Sequence, residues 1–66
     1  MELLVIKSGN RYIRFKDHEP ELVSLDKASV SPLDQMKSVQ QHVSHMKEKG
    51  FADVCIKKLV LTEEDL

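Results

Sequence analysis

Few residues of the kinds that mark secreted, membrane-bound or nucleotide-binding proteins occur in this 66-residue sequence. It has one cysteine, Cys55, two glycines, two prolines, one tyrosine and no tryptophan. A lone cysteine cannot form an intrachain disulfide, so the disulfide framework of small secreted domains is excluded and a reducing compartment, the cytoplasm, is expected. Two glycines are too few for a glycine-rich phosphate loop, and no cofactor is predicted.

Long apolar runs and a surplus of one charge are also missing. The longest apolar runs, 3–6 and 59–61, fall far short of the ~20 residues that span a bilayer, and Met1-Glu2 opens no secretion signal. We therefore expect a soluble protein with no membrane partner. Ten basic and eleven acidic residues give a formal charge of -1, so the composition does not favour nonspecific attraction to nucleic acid or anionic lipid.

One amphipathic helix is the clearest element. Apolar residues at spacings of three and four form a single stripe, namely Leu33, Met36, Val39, Val43 and Met46. Ser31 is placed to cap the helix before Pro32, and Gly50 can end it in a left-handed conformation, with Phe51 packing back on the last turn. These signals predict a helix from 32 to 49.

Strands are predicted on both sides of this helix. Residues 2–16 are rich in β-branched and aromatic side chains, and the turn cluster 8–10 divides this stretch in two, which indicates a hairpin. We interpret 17–20 as a turn and 24–27 as a helical turn, and Lys57-Lys58 allow a bulge in the last strand. The predicted strands are 2–8, 10–16, 28–30 and 53–61, followed by an acidic tail at 62–66.

These elements predict one α+β domain covering residues 1–66. Its order is ββ(β)αβ, with a small antiparallel sheet made of a hairpin, a short third strand and a C-terminal strand. The amphipathic helix packs on one face of that sheet, because its single apolar stripe needs a cover.

The first strand is apolar on both faces, since Leu3 and Val5 project from one side and Leu4 and Ile6 from the other. One helix covers only one face, so we expect an exposed apolar cluster on the other unless residues 22–30 fold over it. These four residues are a candidate association surface that a homodimer would bury. The predicted function is a non-enzymatic interaction or regulatory module that binds another protein or itself.

A second candidate site is basic and aromatic. Alternation places Tyr12, Arg14 and Lys16 on one face of the hairpin, with Arg11 on the opposite face. Arginine and lysine contact phosphates and a tyrosine stacks on an unpaired base, so these four residues suit single-stranded nucleic acid. The same residue types are usual on a solvated sheet face, and nucleic-acid binding therefore ranks behind protein binding.

The third candidate is a metal-dependent enzyme at His42, His45 and Cys55, with His18 as a more distant histidine. Two histidines three apart on a helix and a cysteine from a neighbouring strand supply the ligand types of an open zinc site. Both helix histidines, however, lie to the side of the apolar stripe, and Cys55 fits a buried strand position. No catalytic or metal-ligating residue is assigned, and no enzymatic activity is predicted.

The order of elements resembles a group of known sequences. The hairpin carrying Tyr12-Ile13-Arg14, the segment SLDKA at 24–28 with Val30, the amphipathic helix and the closing strand are similar to small uncharacterised proteins of bacterial and prophage genomes. The resemblance implies the same α+β architecture. It implies no activity and no functional residue.

Overall fold

The computed structural model describes residues 1–17 and 19–65. In chain order these form the strands β1 (Glu2–Ser8), β2 (Arg11–Lys16), β3 (Glu19–Val23) and β4 (Val30–Pro32), the helix α1 (Met36–Glu48) and the strand β5 (Val54–Val60), with 3₁₀ turns at Leu25–Lys27 and Leu33–Gln35. The five strands make one antiparallel sheet, and α1 packs on one face of it. The predicted α+β fold is confirmed, with one strand more than expected.

β1 is the centre of the sheet because strands bond to both of its edges. β5 pairs with the whole of β1, from residue 2 to residue 8. The other edge is divided between β2, which pairs at 7–8, and β4, which pairs at 3–5. Leu3, Leu4 and Val5 therefore have partners in two strands, while Ile6 pairs with Ile56 of β5.

The predicted hairpin joins β1 to β2 through Gly9 and Asn10. Gly9 has φ 58° while Asn10 has no positive φ, which is the pattern of a type II′ turn. Beyond this turn β2 diverges from β1, and Ser29 fills the gap between them. The Ser29 N–H donates to the Ile13 carbonyl oxygen at 3.0 Å, and the Phe15 N–H donates to Ser29 Oγ at 3.0 Å.

The additional strand is β3, and the prediction of a turn over 17–20 is wrong for its last two residues. Glu19 and Pro20 begin β3, which pairs along β2 from Lys16 to Tyr12. β3 lies at the edge of the sheet, where a proline is tolerated because no further strand needs its missing N–H. His18 lies outside the described residues.

Residues 24–32 follow the predicted order with shifted bounds. The expected helical turn at 24–27 is confirmed as the 3₁₀ turn Leu25–Lys27, and the third predicted strand, 28–30, is found at Val30–Pro32. The shift arises from pairing with β1, which places Leu3 opposite Pro32. The helical turn could be predicted from neighbouring residues, whereas the position of β4 depends on its pairing with β1, which is distant along the chain.

The helix begins later than the predicted residue 32. Ser31 belongs to β4, opposite Leu4, and its side chain does not cap the helix. Pro32 is extended, with ψ 156°, and a 3₁₀ turn at 33–35 precedes α1. Pairing with β1 keeps this stretch extended, so the capping signal read from Ser31 and Pro32 is overridden.

The end of the helix agrees with the prediction. Gly50 has φ 94°, and its N–H donates to the Lys47 carbonyl oxygen at 3.1 Å, while the Phe51 N–H donates to Met46 O at 3.2 Å. These two bonds define a Schellman motif. Phe51 then packs against the core as expected.

The core lies between α1 and the face of the sheet that carries Ile13 and Phe15, as predicted for these two residues. Its buried members are Leu4, Ile6, Ile13, Val39, Val43, Met46 and Val54. The first two residues of the predicted helix stripe, Leu33 and Met36, stay exposed. Leu33 belongs to the 3₁₀ turn, whose three residues per turn place it off the α-helical stripe.

β5 runs without a break, so the bulge allowed at Lys57-Lys58 is absent from this strand. The two lysines alternate normally, with Lys57 opposite Val5 and Lys58 opposite Leu4. Lys58 Nζ lies 3.0 Å from Glu2 Oε2, which pairs its charge at the sheet margin. Residues 62–65 have no regular structure, and within the described ranges no helix has the length and apolar character to cross a bilayer.

Candidate interaction surface

The predicted association surface, Leu3 to Ile6, is largely buried within one chain. Leu4 and Ile6 lie in the core under α1. Val5 projects from the other face, yet only 2% of it is exposed, and Leu3 is half-buried. Burial of Leu4 and Ile6 under α1 fits the expectation that the helix covers one face, whereas Val5, on the other face, is buried where exposure was predicted. β1 is the central strand of the sheet, so Val5 is flanked on its own face by Val30 of β4 and Lys57 of β5.

An exposed apolar surface does exist on the sheet face turned away from α1, which we call the open face. Residues directly opposite each other in paired strands project from the same face, so the register defines its rows. Backbone bonds between Met1 and Leu61, at 2.7 and 2.9 Å, extend the register by one row beyond β5. The successive rows are Met1 and Leu61; Pro32, Leu3 and Leu59; Val30, Val5 and Lys57; Tyr12, Lys7 and Cys55.

Six residues in the first three rows form what we call the open-face patch, namely Met1, Leu3, Val30, Pro32, Leu59 and Leu61. Met1 is 81% exposed, Val30 45% and Leu61 44%, while Leu3 and Leu59 are half-buried. Single exposed apolar residues are ordinary on soluble proteins, but a contiguous set marks a contact surface. Val30, the last residue of the segment 22–30, is itself part of this patch.

The open-face patch has opposite charges at its two ends. Beyond its outer row come the acidic residues 63–65, and Glu63 lines a shallow pocket with Met1 and Leu61. At the inner end Lys57 is exposed, and Lys7 lies one row further. Among the residues that the structure describes, no ion pair uses Lys57 or residues 63–65. These charges are therefore available to a partner.

The basic residues of the hairpin are matched by groups of β3. Glu21 lies opposite Arg14, with 3.8 Å between Oε1 and Nη2, and Glu19 lies opposite Lys16. Arg11 Nε donates to a β3 carbonyl oxygen at 3.5 Å. β3, which was not predicted, thus pairs Arg14 with a carboxylate, whereas the Glu19 carboxylate lies 3.2 Å from Lys49 Nζ at the end of α1. Tyr12 is half-buried, and the Lys7 ammonium lies 5.5 Å from the centroid of its ring.

The three suggested metal ligands are on opposite sides of the sheet. Cys55 projects from the open face, opposite Lys7, whereas His42 and His45 belong to α1 on the other face. The His42 ring packs on Phe15, with 4.7 Å between ring centroids. Within residues 1–17 and 19–65, no three His, Cys, Asp or Glu side chains are grouped to hold a metal ion. The zinc hypothesis therefore has no ligand set here.

Comparisons of the chain with protein-family models, with curated proteins and with solved structures found no match. The resemblance to small proteins of bacterial and prophage genomes therefore stays a prediction. The functional interpretation rests on the chain's own residues and their arrangement.

Five residues of the open-face patch were not identified by sequence reasoning, which found only Leu3. One usable signal was present, since Leu59 and Leu61 alternate with Lys58 and Val60 and must share a face of any strand. No local pattern indicates that Leu59 lies beside Leu3. That neighbourhood comes from the long-range pairing of β5 with β1.

Proposed function

We propose that this chain is a small, non-enzymatic interaction or regulatory module of the cytoplasm that binds protein through the open-face patch. One observation supports the proposal above others: a contiguous apolar surface lies on the sheet face that α1 leaves uncovered. Burying apolar surface contributes about 25 cal/mol per Å², so exposing such a patch without a partner forgoes stability that a chain of this size needs.

Protein is the partner class because the patch is flat, apolar and bordered by charges. Protein contact surfaces combine an apolar centre with a polar rim. Nucleic acid is less well supported, because Glu19 and Glu21 stand opposite Lys16 and Arg14 on the same sheet face. An enzymatic role is also less well supported, since Cys55 and the helix histidines are separated by the sheet.

The test is site-directed photo-crosslinking in living cells that express the chain. A photo-crosslinking residue in place of Val30 sits on the open-face patch, and the same residue in place of Gln41 sits on the exposed outer side of α1 as a matched control. We expect a discrete protein adduct from position 30 and none from position 41. Equal labelling at both positions, or no adduct from a variant shown to be folded by circular dichroism, would contradict the proposal.

A further inference from the structure

The charges around the open-face patch change from negative at one end to positive at the other, along the direction of the strands. Residues 63–65 supply negative charge at one end, the six apolar residues form the middle, and Lys57 followed by Lys7 supplies positive charge at the other end. A partner that fits this surface must present positive charge, apolar surface and negative charge in the reverse order. The chain itself has this order when it is turned end for end.

We propose that the open-face patch binds a second copy of this chain, packed face to face with its strands antiparallel, so that Lys57 of each copy lies against residues 63–65 of the other. The proposal rests on the proposed function and names the partner of the same surface. A two-fold axis in the plane of the interface and perpendicular to the strands generates this arrangement. It makes the contact self-complementary, as a symmetric dimer requires.

The other face-to-face arrangement is disfavoured by charge. A two-fold axis parallel to the strands places Lys57 over Lys57 and the acidic tail over the acidic tail. A dimer formed by hydrogen bonding between the outer edges of two β5 strands is also disfavoured by charge. An antiparallel contact centred on Lys57-Lys58 sets lysines of the two copies directly opposite one another. Only the antiparallel face-to-face dimer matches both the apolar patch and the two charged ends.

Patches of the size usual on a small protein are enough for a weak, specific dimer. The largest apolar patch of a small monomeric protein measures about 300–600 Å². Two such patches and their charged rims together approach about 1,200 Å², the lower end of specific protein interfaces. We therefore expect dimerisation in the micromolar range, measurable by sedimentation or light scattering.

Charge exchange tests the proposed orientation. Lys57→Glu should weaken dimerisation about tenfold or more, because both symmetric contacts change from attraction to repulsion. Glu63→Lys with Glu64→Lys should weaken it similarly. The chain carrying all three substitutions should dimerise again, since opposite charges face each other once more. Lys37→Glu, on the exposed side of α1, makes the same change of net charge as Lys57→Glu and should have no effect.

The single cysteine allows an independent measurement of orientation. A two-fold axis that sets Lys57 against residue 63 passes at residue 60, and Cys55 lies five residues from it (60 - 55 = 5). Residues of a strand are spaced about 3.3 Å apart, and stacked sheets lie about 10 Å apart. Spin labels on the two copies of Cys55 should therefore be about 35 Å apart in the antiparallel dimer, but only about 10–15 Å apart in the parallel arrangement.

The outcomes separate this inference from the proposed function. A short distance between the labels, or failure of the triple substitution to restore the dimer, overturns the antiparallel arrangement. A chain that stays monomeric at several hundred micromolar overturns the second copy as partner. In that case a photo-adduct of Val30 with a different protein would leave the proposed function standing, whereas absence of any adduct would remove both.

Discussion

The substitution Val5→Ala tests whether a single chain buries the open face of β1. Val5 is 2% exposed, although it projects away from α1 and is not part of the core beneath the helix. Removing two carbon groups at about 0.8 kcal/mol each loses about 1.6 kcal/mol of transfer free energy. The cavity left behind adds to this, so we expect a loss of about 2 kcal/mol.

Such a loss is large for a chain of this size. A domain of 66 residues, at about 0.05–0.15 kcal/mol per residue, has an unfolding free energy of about 3–10 kcal/mol. With an m-value of about 1 kcal/mol/M for a small domain in urea, the unfolding midpoint should fall by about 2 M. Urea titrations followed by circular dichroism at several protein concentrations measure this shift.

The matched control is Val60→Ala, which removes the same two carbon groups from a residue of β5 that is 58% exposed. We expect its effect to stay within about 0.5 kcal/mol. Because Val5 is buried within one chain, its loss should be the same at every protein concentration. Equal effects of the two substitutions in the most dilute sample would refute the burial of Val5 in the monomer.

Three further predictions concern local features. Gly50→Ala should lower the unfolding free energy by about 1 kcal/mol and the Tm by roughly 4–8 °C, because the added Cβ meets no atom but the backbone is left-handed at φ 94°; an unchanged Tm would contradict this. The Ser24 hydroxyl donates to the Asp26 carboxylate and holds its pKa below the ordinary 3.8, so an NMR titration should show this pKa rise in Ser24→Ala. Because the folded pKa is the lower one, the stabilisation is present above the unfolded pKa and is lost as the pH falls through the folded value. Binding to a labelled single-stranded oligonucleotide should be weak even at low salt and should strengthen in Glu21→Gln; tight wild-type binding that Arg14→Ala abolishes would restore the nucleic-acid hypothesis.

The parts of the fold that were predictable from the sequence are those set by neighbouring residues. Gly9-Asn10 and Gly50-Phe51 specify a turn and a helix end through backbone conformation alone, and both are found. The start of the helix was not predictable in the same way. Ser31 and Pro32 carry a strong local signal for a helix start, but hydrogen bonding to β1 makes them a strand.

β3 and the open-face patch were missed for a related reason. Glu19 and Pro20 were predicted as part of a turn, and together with Glu21 they form a strand only because β2 offers an edge to pair with. An apolar surface does lie on the face away from α1, but of the residues predicted for it only Leu3 belongs to the open-face patch. Three strands, β1, β4 and β5, contribute side chains to the patch, and only their mutual register brings these together.

The pairing of β1 with β5 has a consequence for how the protein folds. Glu2 is opposite Val60, so the longest ladder of the sheet joins segments that are far apart along the chain. Such pairings require a large loop to close before they return any stabilisation, which slows folding relative to helical proteins of the same length. A nascent or cleaved chain without β5 leaves a full edge of its most apolar strand bare, and aggregation then competes with completion of the fold.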